Sequence, residues 1–276
     1  MYPVIRVVES PHEWLRVTEE FRATDPVIMN LLGSVAEGVV NGIVYESALW
    51  LVVEDGDEVI GCAIRTAPWP AVISPMPERA STALGGWFAA NARDVLEVTG
   101  PIREVHSLAE ALKKKVHIRV REYIRVLTDL SEVSPCPGRM RLAHEADLPL
   151  LLAWFERFHQ EADLAAPASA ERVRASLRDE RLWVWENDGP VAMGGHAPIV
   201  ATTSATVGRI GPIYTDPSHR GHGYATALTH AVAEDLKRSC DIVMLFTDAG
   251  NPTSNHIYER LGFTIATEMV EAQLGD

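Results

Sequence analysis

The chain has 276 residues, 47% hydrophobic and 23% charged, enough to build the core of one large domain or two ordinary ones. The net charge is −13 and neither half is basic, which argues against a surface made to neutralise nucleic-acid phosphates. Three scattered cysteines supply neither a disulfide framework nor a zinc cluster, and apolar runs such as 48–53 fall far short of the roughly 20 residues of a membrane span. The expectation is a cytoplasmic protein that touches neither nucleic acid nor membrane. Its acidity suits an amine-bearing substrate, although ordinary solubility accounts for it as well.

In chain order, the pattern predicts a strand at 4–8, helices within 11–30, a hairpin around Asp55-Gly56, a helix over 78–96 and a strand at 123–127. Lys113-Lys114-Lys115 reads as a solvated helix face. Ser134-Pro135-Cys136-Pro137-Gly138 breaks any regular element and marks a linker. Beyond it come a strand at 140–143, an amphipathic helix over 146–161, a second helix at 170–178 and a hairpin of 182–186 with 191–196. A long strand at 205–214, a turn-rich loop and a helix ending near Arg238 follow. The chain then gives a strand at 242–246, a helix at 252–261 and a strand at 263–270.

The halves rhyme. Leu49-Trp50 with Leu182-Trp183, Asp55-Gly56 with Asp188-Gly189, and Gly61 with Gly194 each lie 133 positions apart. The shared unit is a hairpin with an Asp-Gly turn, which predicts two similar domains, 1–134 and 139–276.

Arg220-Gly221-His222-Gly223-Tyr224-Ala225 lies between a strand and a helix. First-turn N–H groups lack intrahelical partners, and glycines let an anion approach them, so the loop can serve as a phosphate cradle or as a plain turn. It lacks the Gly-Lys-Ser/Thr of a nucleoside-triphosphate loop, and the meander upstream does not suit a dinucleotide fold. In the block from Asn251 to Phe263, Asn251 is a good N-cap, Pro252 suits the first helical position and Gly262 the stop. Asn255 and Tyr258 share one helix face.

Arg220-x-x-Gly223-x-Ala225, its lead-in Ile210 to His219, and Asn251 to Phe263 resemble the coenzyme A signature and later blocks of the GNAT superfamily of N-acetyltransferases. The resemblance covers roughly residues 139–270. It implies a mixed α/β (α+β) fold of two tandem GNAT-like domains, each a mostly antiparallel sheet flanked by helices, with a degenerate first copy. It implies acetyl-CoA as cofactor, held by Ile213, Tyr214, Thr215, Arg220, Gly221, His222, Gly223, Tyr224, Ala225, Asn255 and Tyr258. Tyr258 and Asn255 are the catalytic candidates, Tyr258 protonating the departing thiolate and Asn255 bonding the cofactor arm. Backbone N–H groups near Ile213 and Tyr214 would polarise the thioester.

The implied activity is transfer of an acyl group to the primary amine of a small molecule or an amino terminus, by a monomer or homodimer. The alternative is a non-catalytic acyl-CoA sensor. Where many relatives carry a carboxylate, residues 205–215 have none; Glu156, His159, Glu161, His196 and Asp248 are possible substitutes, and the base stays unassigned. His219 and His222 find no third ligand, so no metal is expected. The first half lacks both motifs and is not expected to bind acetyl-CoA.

Overall fold

The computed structural model describes residues 2–163 and 169–276. The first half runs β1 (Val4–Val8), α1 (Pro11–Val17), α2 (Glu19–Ala23), α3 (Asn30–Val40), β2 (Ala48–Asp55), β3 (Glu58–Thr66), β4 (Ala71–Ile73), α4 (Glu78–Asn91), β5 (Glu97–Gly100), α5 (Ile102–Ala111) and β6 (Lys115–Leu127). The second runs β7 (Arg139–Leu142), α6 (Leu148–Glu161), α7 (Ala170–Arg178), β8 (Leu182–Glu186), β9 (Pro190–His196), β10 (Val200–Ala201), β11 (Thr206–Thr215), α8 (Tyr224–Leu236), β12 (Ile242–Asp248), α9 (Pro252–Arg260) and β13 (Phe263–Gly275). The order of elements nearly repeats between the two halves.

All described strands join one sheet, in the order β1-β2-β3-β4-β5-β13-β6-β12-β11-β9-β8-β7, with β10 added on β11. One face carries α4 and α5 over Leu51, Ile73 and Val98, and α8 over Val243, Leu245 and Phe263. The other carries α1 and α3 over Trp50, Ile124 and Met244, and α6 over Val184, Met193 and Tyr214. At the centre the halves exchange their last strands. β6 of the first half pairs with β12 of the second, and β13 of the second pairs with β5 of the first. β6 and β13 pair with each other from Phe263↔Leu127 to Gly275↔Lys115.

Several expectations need correction. The helix read over 78–96 ends at Asn91, α3 runs on to Val40, and the strand read at 123–127 begins at Lys115. β4, β5 and β10 are too short to show a clear period, whereas α5, absent from the expected elements, does carry a helical stripe that buries Val105, Leu108 and Ala109. Lys113-Lys114-Lys115 is not a helix face. It is the turn from α5 into β6, with Lys113 at φ +57 and Lys114 and Lys115 bonded to Asp276. Both hairpins exist, but their registers differ. Trp50 packs on Trp14 of α1, whereas Trp183 lies on the opposite face, beneath α8. A one-residue slip is enough to turn a strand over, so the even spacing of 133 does not align equivalent side chains.

Candidate functional site

The site lies where two parallel strands part. β11 and β12 run side by side only from Val207↔Ile242 to Ile210↔Leu245. β11 then bulges: Ile210 faces His196 and Ile213 faces Gly194, three steps against two across β9. Past the bulge β11 follows β9 to Thr215 while β12 follows β6 to Asp248, and a wedge opens between them. The Asp216 N–H donates to Val191 O, on the β9 side, at 3.1 Å. Strand alternation turns the Tyr214 N–H the same way and directs those of Ile213 and Thr215 into the wedge. The Tyr214 hydroxyl and Thr215 Oγ1 on this wall are buried without a hydrogen-bond partner among the described residues.

The helix start at the wedge is open. Gly221 and Gly223 stand at φ +80 and +83, a region L-residues avoid. Adjoining residues of the chain aside, no atom of the described residues lies within 4 Å of where either Cβ would be, so backbone conformation, not crowding, demands the glycines. α8 has no side-chain cap, which leaves its first-turn N–H groups, including those of Tyr224 and Ala225, facing outward at the positive end of the helix dipole. An extended diphosphate has the shape and charge for this cradle.

The loop is held from outside. The Asp216 carboxylate accepts from the Ser218 N–H and hydroxyl, from Trp154 Nε1 and from Arg157. The Ser218 bond above all holds its carboxyl below the ordinary range. Tyr224 contributes only backbone to the cradle, since its ring is buried and its hydroxyl accepts from Asn187 Nδ2 at 2.7 Å. His222 stacks on that ring with centroids 5.8 Å apart. Arg220 bends away from the cradle: Nε donates to Thr215 O, Nη2 reaches both Glu161 oxygens at 2.8 Å, and the guanidinium covers the Tyr214 ring. Both side chains of that ion pair are about half exposed (47% and 49%). Such pairs are worth about 0–1 kcal/mol, so a doubly charged ligand can draw Arg220 off Glu161.

α9 flanks the wedge. Asn251 caps it by accepting from the Ser254 N–H at 3.0 Å, and Pro252 starts it. The Asn255 amide is committed to the protein: Nδ2 donates to Asp248 O and Asn251 O, and Oδ1 accepts from Arg125 Nη2 at 3.2 Å. Arg125 comes from β6 and also donates to Phe263 O, so a strand of the first half braces this helix. Tyr258 packs edge-on against Phe263, and desolvation pushes its phenol up to about 12.

The five substitute bases are scattered. Glu156 accepts from Gln160, and Glu161 pairs with Arg220. His159 sits among the rings of Trp69, Phe155 and Phe158. The His196 Nδ1 is 2.6 Å from Ala197 O, and burial lowers its pKa. Only Asp248, at the open end of β12, borders the wedge, and its carboxylate accepts from the Gly250 N–H at 2.7 Å. Among the described residues no group of three His, Cys, Asp or Glu could hold a metal ion.

Sequence reasoning missed Glu122. It lies on β6 directly opposite Asp248, on the sheet face of Ile124. The run Val120-x-Glu122-x-Ile124-x-Val126 puts a carboxylate in the apolar phase of a strand, and that was the available signal. Burial raises its carboxyl to about 7, helped by Glu271 and Asp248 and opposed by Arg209. A carboxyl held above its ordinary 4.5 keeps in the fold a proton that the unfolded chain has released, so stability is lost as pH rises from about 4.5 through about 7. Relative to wild type, Glu122→Gln should gain on the order of 2 kcal/mol between pH 5 and pH 8. Equal melting temperatures at both pH values would refute this.

The corresponding place in the first half is shut. There β4 and β5 stay together, and a Cβ on Gly100 would lie 2.4 Å from Ile73 Cγ1. α4 begins with Glu78, a negative charge where a phosphate would sit. The proline-flanked Trp69 loop does reach the second half, with Arg172 stacked over Trp69 at 5.0 Å and over Tyr45 at 5.5 Å.

Residues 148–263 match the profile of the acetyltransferase (GNAT) family. Mycothiol acetyltransferase of Salinispora tropica is 39% identical over 74 residues, which is 26% of this chain and 24% of that protein, so the chain matches about a quarter of the relative's length. A tandem GNAT protein from the clavulanic acid biosynthesis pathway superposes with a TM-score of 0.63 over 98% of this chain and 97% of its own, at 14% identity. A GCN5-related N-acetyltransferase from Sphaerobacter thermophilus does so with 0.63 over 100% and 97%, at 18% identity. At such identities these two matches concern the fold alone. No helix among the described residues is long and apolar enough to cross a membrane.

Proposed function

Since residues 148–263 form a domain of the acetyltransferase (GNAT) family, we propose that the chain is an acetyl-CoA-dependent N-acetyltransferase acting on a primary amine of a small molecule or an amino terminus. The observation that carries this reading is the wedge between β11 and β12 opening beside an uncapped helix start with two left-handed glycines. The site fits the cofactor: a diphosphate meets free N–H groups, and a pantetheine arm meets a strand edge that lacks a partner.

Bound acetyl-CoA supplies an activated thioester. The N–H of Ile213 polarises its carbonyl, and the Thr215 N–H and Oγ1 receive the arm. Asn255 keeps α9 seated on β12 and β6 and acts by positioning. Tyr258 presents its hydroxyl to the sulfur. Passing a proton from a phenol near 12 to a thiol of ordinary pKa is uphill by about 5 kcal/mol. The hydroxyl therefore serves as a hydrogen-bond donor while the C–S bond breaks and is not where charge comes to rest. We read residues 1–134 as a degenerate copy that walls the acceptor cleft and 139–276 as the cofactor-binding domain. We further read the protein as cytoplasmic, working as a monomer or homodimer without nucleic acid or membrane.

The test is the melting temperature with and without acetyl-CoA, together with release of CoA thiol in the presence of primary amines. Ligand at about 100 times its dissociation constant should stabilise the fold by roughly 2.7 kcal/mol. Tyr258→Phe should keep that gain and lose about 10²-fold in turnover. Binding without turnover for any amine would favour the acyl-CoA sensor, and no binding would remove both readings.

A further inference from the structure

The acceptor side of the wedge still needs a group that takes the amine's proton, and β11, the strand expected to carry it, offers Arg209 instead. Arg209 is a buried cation fixed by Asn30 Oδ1 at 3.0 Å and Ser34 Oγ at 2.9 Å of α3, with its guanidinium over the Phe246 ring. It has no ion pair within salt-bridge distance among the described residues. Phe246 lies two residues before Asp248 on β12, so Arg209 crosses toward the strand end where Asp248 faces Glu122. Glu122 itself makes no hydrogen bond or ion pair among the described residues. A desolvated carboxylate without a partner is costly to a fold, and here it stands beside an open strand end, in the field of an unpaired guanidinium.

Resting on the reading of this wedge as an acetyltransferase site, we propose that Glu122, on the strand the first half lends to the second, is the general base that accepts the proton of the acceptor amine. The N–H bond of the attacking amine breaks and an O–H bond forms on Glu122. The nitrogen lone pair makes the amide bond as the C–S bond opens, and the departing thiolate, hydrogen-bonded by the Tyr258 hydroxyl, takes its proton from solvent. Glu122 then passes its proton to solvent. Burial above all raises its carboxyl; of the charged groups around it, Glu271 from β13 and Asp248 from β12 add to the rise and Arg209 from β11 opposes it, which leaves it in the range where a base is needed near neutrality. The first half thus supplies a catalytic group even though its own wedge is shut.

The experiment follows CoA thiol release from acetyl-CoA by the full chain between pH 5.5 and 9. The acceptors are spermidine, 2-phenylethylamine, an alanine tripeptide and water alone. Wild type, Glu122→Gln and Glu122→Asp are compared, with the acetyl-CoA-induced rise in melting temperature recorded for each. With the fastest acceptor, wild-type kcat/KM should climb through an inflection near 7. In Glu122→Gln the inflection should vanish and the rate fall about 10²-fold with the thermal shift unchanged, while Glu122→Asp should keep part of the rate and an inflection. The same profile in Glu122→Gln overturns the proposal and leaves the cofactor site standing. A wild type that binds acetyl-CoA yet releases no thiol with any acceptor overturns it too. A wild type with no thermal shift defeats the site reading beneath it, which is a separate result.

Discussion

Gly223→Glu should fold and yet lose acetyl-CoA. The position stands at φ +83, so a side chain costs about 1–2 kcal/mol in backbone strain. Adjoining residues aside, no atom of the described residues lies within 4 Å of the added Cβ, and a carboxylate at a helix start is favourable to the helix, so the free protein should melt only a few degrees lower. Against a pyrophosphate the same carboxylate is a like charge placed in the cradle, with an expected loss of affinity of about 10³-fold. At a ligand concentration that raises wild type by roughly 2.7 kcal/mol the variant should not move. An equal rise in both proteins would mean that the cofactor does not use this loop.

Gly262→Ala should do the opposite, harming the fold far more than the site. Gly262 also has a positive φ, +94, but a Cβ here would stand 1.8 Å from the Asp129 carbonyl oxygen. Its own carbonyl accepts from both the N–H and the Oγ1 of Thr128, and Ser131 N–H donates to Leu261 O, so the segment leaving β6 is clamped to the turn between α9 and β13. Strain and backbone displacement add, for an expected loss of about 3–5 kcal/mol. A drop of that size in the urea midpoint, with an unchanged slope, is the expected readout. A midpoint within error of wild type would show that the clamp yields freely.

These two glycines show what could be read beforehand. Both were legible as stops and starts, because the residues around them (Asn251-Pro252 before, Tyr224-Ala225 after) carry local capping chemistry that needs no knowledge of the rest of the fold. What separates them, open space over one and a carbonyl over the other, is tertiary. The hairpins were legible for the same local reason, since Gly56 and Asp188 do take the positive φ of tight turns. The faces of Trp50 and Trp183 were not, because side-chain direction depends on strand register, and register is set across strands. Glu122 was not legible because the cofactor motifs all lie in the second half, while only the assembled sheet brings β6 in from the first. Asn255 was correctly placed beside Tyr258 on α9, but its engagement by Arg125, 130 positions away, has no sequence signature.

The exchange of β6 and β13 has a consequence for how the chain comes into being. Synthesis delivers residues in order, and β6 emerges long before β12, its neighbour on one side, or β13, its neighbour on the other. Until the ribosome has made 263–275, the sheet of the first half ends at β5 with Val98 and Thr99 lacking their partners Ala272 and Glu271. The nascent first half must therefore wait with one edge of β5 and both edges of β6 unsatisfied, a state that invites pairing with the wrong chain. Its many charged residues along β6, among them Lys115, Arg119, Arg121, Glu122 and Arg125, are suited to keeping that edge in solution during the wait.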